Sequence, residues 1–359
     1  MTDSKTDLYG GPSPLYYVYT PRWTTASAGI RALHYLCHTL NRMGYECYLV
    51  FSDQGNSKKI GVSENLFTPV LTQTLADAHF ASSRNPTVVY SETIPGNPLG
   101  ASKVLRYLMN YAGALGGQTS FNEDEYIVAY SKNIAEHYAR VNGRELPQVL
   151  FLPPIDPREF IFNLHNREDF YLLYAGKYRA FIGKPIEFEG KEIVEIHRQG
   201  KQAQSRAEVI NLLSRCKAVI SMENSSIITE AVLSGAPGLF FPNEFLVEPI
   251  AEHELGWFGM GWGITPDIES QARQTLRQGR ETYENAVASF SAELLRICES
   301  AEKYFVGGFD RRVVKVPAKY WILSPHRLNL SRQIIGTLGW GAWFRVVVNF
   351  TRRRFSRRF

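Results

Sequence analysis

The chain has 359 residues, 44% of them hydrophobic and 21% charged, which is enough apolar content to fill two ordinary cores and too much for a disordered or low-complexity chain. Its net charge of +5 sits at one end: Trp321 to Phe359 holds eight arginines and no acid, so the remainder is mildly acidic. The four cysteines, Cys37, Cys47, Cys216 and Cys298, are scattered with no CxxC pair, which points to reduced core thiols in a cytosolic protein and away from a zinc site.

In chain order, the N-terminus MTDSKTDLYGG has neither a charged start nor an apolar core, so no signal peptide is expected. No apolar run reaches the roughly 18 to 20 residues that span a bilayer. Tyr16 to Tyr19 reads as a strand and Thr20 to Ser27 as a loop. Ile30, Leu33, Leu36, Cys37, Leu40 and Met43 form the apolar stripe of a helix that stops at Gly44. Tyr45 to Phe51 resumes as a strand. A strand followed by a small-residue loop and a helix is how a doubly wound sheet admits a nucleotide or a sugar, and Gly29 lets a ligand approach the backbone. Arg22 and Trp23 are candidate cleft walls or ordinary loop residues, packing being the favoured role for Trp23. GxGxxG is absent, so no dinucleotide cofactor is expected. His34 and His38 share a helix face four residues apart, but no third ligand accompanies them, so packing or surface roles and no metal are expected.

Thr87 to Tyr90 is the next strand, SETIPGNPLGAS a turn-rich loop, and Lys103 to about Tyr111 a predicted helix. Glu92 falls just past the strand end, where a parallel sheet places active-site carboxylates. Asn122, Glu123, Asp124 and Glu125 precede the strand Tyr126 to Tyr130 instead of ending one, so they read as a solvated turn and not as a metal-binding DxD. A helix from Asn133 to Arg140, a strand from Val149 to Leu152 and the stiff segment LPPIDP complete the first part.

The strand Phe170 to Tyr174 runs into Ala175, Gly176 and Lys177, with Arg179 and Lys184 a few residues on. Two such cations beside a helix N-terminus can neutralise a pyrophosphate without a metal, or they are surface groups around a turn. Residues 205–243 read as helix, strand (Ala218 to Met222), helix to about Leu233, Gly-Pro turn and strand. Asn224, Ser225 and Ser226 are N-cap material for the second helix, Gly235 ends it, and Glu223 and Glu230 punctuate the unit. A carboxylate at such a mouth accepts hydrogen bonds from ribose or sugar hydroxyls; the plain alternative is a first-turn acid and a solvated helix acid. Amphipathic helices follow near Ser270 to Leu276 and Thr282 to Tyr304.

These segments resemble the nucleotide-sugar glycosyltransferases of the GT-B fold, over roughly residues 15–250 and most closely over 170–242. In that family two glutamates separated by seven residues precede a Gly-Pro turn; here six separate Glu223 from Glu230, and Asn224, Ser225 and Ser226 replace the Gly-rich turn. The resemblance implies that Glu230, anchored by Ala231 and the Gly235, Ala236, Pro237 turn, binds the donor ribose, and that Glu223 lies near the donor sugar. It implies that Lys177, with Arg179 or Lys184, holds the donor diphosphate. YSETIPGNPLGASKVLRYLMN is similar to a segment of bacterial polysaccharide and lipopolysaccharide glycosyltransferases, with Glu92 as the candidate base facing an acceptor hydroxyl.

The expected architecture is therefore α/β, with two Rossmann-like doubly wound domains facing across a cleft. The acceptor-side domain spans 1–155, the donor domain 156–306, and return helices with a basic tail 307–359. In the tail Arg345, Asn349, Arg352 and Arg353 share one helical face and Trp343, Val347 and Phe350 the opposite one. That is the composition of an interfacial helix on an anionic membrane, the alternative being that 321–350 pack on the body. The expected function is metal-independent transfer of a sugar from a nucleotide-diphosphate donor to a glycan or lipid-linked glycan acceptor, in bacterial cell-surface polysaccharide synthesis. The expected place is the inner face of the cell membrane, with no nucleic-acid partner. A nucleotide-sugar epimerase on the same fold and a non-catalytic sugar-nucleotide or glycan-binding subunit are the alternatives.

Overall fold

LYYVYT at Leu15–Thr20 is buried at every position, as a strand covered by helices on both faces must be; it is β1 of a five-stranded sheet. In this computed structural model, residues 14–52, 61–186, 188–198 and 200–305 are described. β1 leads through α1 (Ala28–Arg42) to β2 (Glu46–Phe51), and α2 (Gln73–Ala81) leads to β3 (Thr87–Ser91). β4 (Lys103–Leu108), β5 (Tyr126–Ala129) and α3 (Lys132–Asn142) follow. Every pairing is parallel and the order is β2-β1-β3-β4-β5.

The second sheet repeats that plan. β6 (Tyr171–Tyr174) and α4 (Gly176–Phe181) precede the short β7 (Ile193–Glu195), and α5 (Arg206–Arg215) leads to β8 (Ala218–Ser221). α6 (Ile227–Ser234), β9 (Gly238–Phe240), α7 (Glu252–Leu255) and β10 (Met260–Trp262) complete the sheet, with parallel order β10-β9-β8-β6-β7. α8 (Pro266–Gln274) and α9 (Leu276–Tyr304) close the described chain. In each sheet the connection leaves the first strand to one side and then returns to the other, so the direction of winding switches between β1 and β3 and again between β6 and β8. Ligands of open parallel sheets sit outside the strand ends at those switch points.

α9, at 29 residues, belongs to both halves. Near its start Gly279 lies so close to Phe258 that a Cβ would meet the Phe258 carbonyl oxygen at 2.3 Å, and the Tyr283 hydroxyl donates to Ile155 O at 3.1 Å. At its far end the Tyr304 ring sits 5.2 Å from Tyr126 of β5, and its hydroxyl donates to Glu123 O at 2.7 Å. α9 itself thus reaches back to the first sheet, while the return helices expected within 307–359 lie outside the described residues.

Three expectations are corrected. Lys103 to Tyr111 is not a helix: Lys103–Leu108 is the strand β4, buried from Val104 onward between β3 and β5. A short continuous apolar run does not distinguish a buried strand from a buried helix by period, and here the neighbouring strands decide. Val149 to Leu152 does not form a strand; Val149 makes a single bridge to Ala129. Glu125 is not a solvated turn residue but is 3% exposed and paired with the wholly buried Arg106, Nε to Oε2 at 2.7 Å, whereas Glu123 and Asp124 are exposed.

Candidate active site

A cavity of about 690 Å³ opens where the two switch points face each other, lined by the loop before α1, the end of β3, the start of α4 and the segment between β8 and α6. Gly29 lines it in the first turn of α1, which Ser27 caps by accepting from Ile30 N at 3.4 Å. A Cβ at Gly29 would touch Met109 Cε at 3.6 Å, an ordinary contact, so packing alone does not demand glycine there. Arg22 and Trp23 are not among the cleft residues. The Arg22 guanidinium lies 4.7 Å over Phe51, and Trp23 packs edge-on to His34 at 5.3 Å. His34 Nε2 bonds Pro21 O at 3.0 Å and His38 Nδ1 accepts from Phe67 N at 2.9 Å, so both serve packing.

Glu92 lines the cleft just beyond β3 at 3% exposure, with one oxygen accepting from Met109 N at 3.0 Å. Burial pushes its carboxyl up to about 7, against the smaller opposing effects of that amide and of Arg106 and Lys177. Arg106 fixes the loop that carries it: Nη1 donates to Ser91 O (3.2 Å) and Ile94 O (2.8 Å), and Nη2 donates to Gly96 O (2.8 Å). A buried arginine with its charge met by Glu125 and its remaining protons given to carbonyls holds a loop that has no regular structure of its own. This clamp carried no local sequence signal beyond an arginine inside an apolar run.

Lys177 and Arg179 both face the cleft from α4, but Lys184 does not: it pairs with Glu244 at 2.5 Å outside it. Arg179 is held by Glu195 through two bonds of 2.6 and 2.7 Å. Glu223 is fully buried and off the cleft surface. One of its oxygens accepts from the backbone amides of Lys177 and Tyr178, the latter at 3.3 Å, and the other lies 3.4 Å from Lys177 Nζ. The N-cap position of α4, Ala175, has no capping side chain, so Glu223 supplies the cap from the neighbouring strand end and orients Lys177 as it does so. The carbonyl of Glu223 also accepts from Ser221 Oγ at 2.7 Å.

Asn224, Ser225 and Ser226 line the cleft at the mouth of α6. Asn224 ties this turn to the next loop by donating to Glu248 O at 2.9 Å and accepting from Ile250 N at 3.2 Å. Ser225 Oγ accepts from Ile227 N at 3.4 Å. Ser226 occupies the N-cap but does not cap; it donates to Glu230 Oε1 at 3.2 Å.

Glu230 is fully buried and shared by three guanidinium groups that no sequence pattern linked to it: Arg31 at 3.1 Å, Arg198 at 3.1 Å and Arg206 at 2.6 Å. Burial by itself raises such a carboxyl, but Arg31, Arg198 and Arg206 outweigh it and hold the group at about 2. Arg31 comes from α1, so this ion cluster joins the first sheet's layer to the second's. Asn224, Ser225, Ser226, Gly29, Glu92, Lys177 and Arg179 are thus gathered at one cleft, while Glu223 and Glu230 stand behind it and Lys184 lies apart. Among the described residues no three His, Cys, Asp or Glu side chains are grouped to hold a metal, and no helix is long and apolar enough to cross a membrane.

Two parallel, doubly wound sheets whose switch points open on one cleft define a two-domain α/β protein with the cleft between its halves. A scan against protein-family models and a search of curated proteins give no match. Among solved structures the chain is similar to WaaG, a glycosyltransferase involved in lipopolysaccharide biosynthesis, at 12% identity and a TM-score of 0.43 over 82% of this chain and 100% of that one. It is likewise similar to Anabaena HepE in complex with UDP and glucose, at 10% identity and 0.41 over 80% and 100%. Another likeness is to the glycosyltransferase SnogD from Streptomyces nogalater, at 15% and 0.39 over 81% and 98%. The class of fold rests on the strand order and the cleft, independently of these likenesses.

Proposed function

We propose that the chain is a glycosyltransferase that moves a sugar from a nucleotide-diphosphate donor to a hydroxyl of a glycan or lipid-linked glycan acceptor, without a metal, in bacterial cell-surface polysaccharide synthesis. The observation that carries this reading is Glu92: a nearly buried carboxyl at the first switch point, raised to about 7, across a cleft from Lys177 at the second. A base of that strength takes the proton of an acceptor hydroxyl near neutral pH as the oxygen bonds to the anomeric carbon. The bond from that carbon to the diphosphate breaks, and Lys177, with Arg179 beside it, meets the charge that grows on the leaving group. In this reading Glu223 works through Lys177 and the α4 amides that it holds, and Glu230 works through its arginines, since ribose hydroxyls reach Glu230 only by displacing an arginine or Ser226. The domain division at 155/156 belongs to the same proposal, with acceptor on the first side and donor on the second.

Residues 307–359 lie outside the described residues, so the basic tail enters from sequence alone. Its arginines and Trp343, Val347 and Phe350 support docking on the anionic inner face of the cell membrane. The primary test is a thermal-shift screen of the whole chain against UDP, GDP, TDP and CMP sugars. A ligand at 100 times its Kd stabilises the native state by about 2.7 kcal/mol, and the expected result is a shift with one nucleotide series. No shift with any of them sinks the donor-site reading.

A further inference from the structure

The cleft carries two groups of cations, and their charge is balanced differently. At α4 the Lys177 ammonium stands 3.4 Å from Glu223 and Arg179 is held in two bonds by Glu195, so each cation already has a carboxylate of its own. At α6, three guanidinium groups share Glu230, and the second carboxylate in reach, Glu159, pairs with Arg206 alone at 2.9 Å. Arg206 does not line the cleft, whereas Arg31 and Arg198 do. The uncompensated positive charge of the cleft therefore lies at Arg31 and Arg198. Their side chains are only 6% and 12% exposed, so bulk water screens them little. Arg31 gives its other protons to Thr25 O (3.3 Å) and Ser226 Oγ (3.0 Å), but its buried Nε has no hydrogen-bond partner. A nearly buried guanidinium nitrogen left unpaired costs free energy unless a ligand completes it.

We propose that Arg31 and Arg198 form an anion subsite that binds a phosphate group of the ligand, with Glu230 orienting both guanidiniums toward it. This deepens the proposed function and rests on it for the source of the phosphate, which is either the donor diphosphate or a phosphate on the acceptor. Arg31 comes from the first sheet's helix and Arg198 from the segment after β7, so a phosphate between them is gripped from both halves of the molecule. Glu230 can hold its arginines in place because a carboxylate at about 2 keeps its charge at any physiological pH.

The test is titration calorimetry of the full chain with inorganic pyrophosphate and with UDP, using the wild type, Arg31→Gln and Arg198→Gln. Gln retains side-chain amide donors while removing the charge, and melting temperatures recorded alongside verify folding. Loss of one charge-assisted contact weakens binding by about tenfold or more. If both ligands weaken to that extent, the subsite takes the donor diphosphate. If UDP is unaffected, but pyrophosphate binds to the UDP-saturated wild type and is lost in the variants, the phosphate belongs to the acceptor. Pyrophosphate binding that is lost in the variants, with no UDP binding by the wild type, keeps the subsite and removes the nucleotide reading. Changes below about twofold in both folded variants, or no binding of either ligand by the wild type, overturn the proposal. Should Arg31→Gln not fold, Arg31→Lys with Arg198→Gln decides, a lysine being expected to keep the charge but lose the planar grip.

Discussion

Replacing Glu92 by Gln should stabilise the protein and abolish its activity together. The folded carboxyl is raised from its ordinary 4.5 to about 7 by burial, so the folded chain holds that proton more tightly than the unfolded chain does. The associated stabilisation is whole below about pH 4.5 and is lost as the pH rises through 7. At about 1.4 kcal/mol per pH unit the loss reaches about 3 kcal/mol well above pH 7. Gln has nearly the same shape, still accepts from Met109 N and never ionises, so it escapes this cost. Urea unfolding of both proteins should show a stability gap in favour of Glu92→Gln that widens by about 2 kcal/mol between pH 5.5 and 8.5. Turnover should drop by roughly 10² to 10⁴, with the wild-type rate rising with pH toward a plateau above 7. A gap that does not change with pH would refute the assignment of a raised, buried carboxyl, whatever the kinetics show.

Further outcomes follow from the same geometry. Glu230→Ala leaves three arginines with their shared carboxylate gone and should cost about 3 to 5 kcal/mol by urea unfolding, against almost nothing for Glu123→Ala on the surface. Because the Glu230 carboxyl is depressed to about 2, its contribution is present above the ordinary carboxylate range and should fade as the pH drops toward 2. Lys177→Ala should lower kcat at least tenfold on the identified donor; an unchanged kcat removes it from the leaving-group side. Gly235→Ala should destabilise by clearly more than Gly44→Ala. Both sit at positive φ, +83° and +88°, but only at Gly235 would the Cβ strike a backbone oxygen, that of Asn163 at 2.4 Å. Deleting residues 341–359 should release the chain from anionic vesicles in a co-sedimentation assay and leave nucleotide binding intact; full retention on vesicles contradicts the membrane role of the tail.

Much of this arrangement was legible in the residues. Strand ends followed by small or charged residues marked Glu92, Lys177 and Asn224 to Ser226, because the chemistry of a parallel sheet is local to those ends. What escaped is long-range. Nothing near Glu230 announces Arg31, 199 positions away, or Arg198 and Arg206, which arrive from separate elements. Glu125 is indistinguishable from Glu123 and Asp124 in a string of acids, and only the arginine at the centre of β4 draws it inward. The same arginine accompanies the misreading of KVLRYL, whose helical and strand periods are both acceptable until neighbours are present. Lys184 and Arg179 were equivalent as cations near a turn; their different partners, Glu244 and Glu195, separate them.

The long helix α9 has a consequence for how this molecule tolerates insertion. Its first turns are keyed to Phe258 and Ile155, and its last turn to Tyr126 and Glu123, so one rigid rod meshes with two separate sockets. At 1.5 Å and about 100° per residue, 29 residues make a rod of about 43 Å whose two ends are locked in phase as well as in distance. A single inserted residue in its middle would turn the far socket's teeth by more than a quarter of a revolution. Seven inserted residues would nearly restore the angle but overshoot by about 10 Å. The length of this helix therefore fixes both the spacing and the angular phase of its two sockets, and it does not change by small steps without losing one of them.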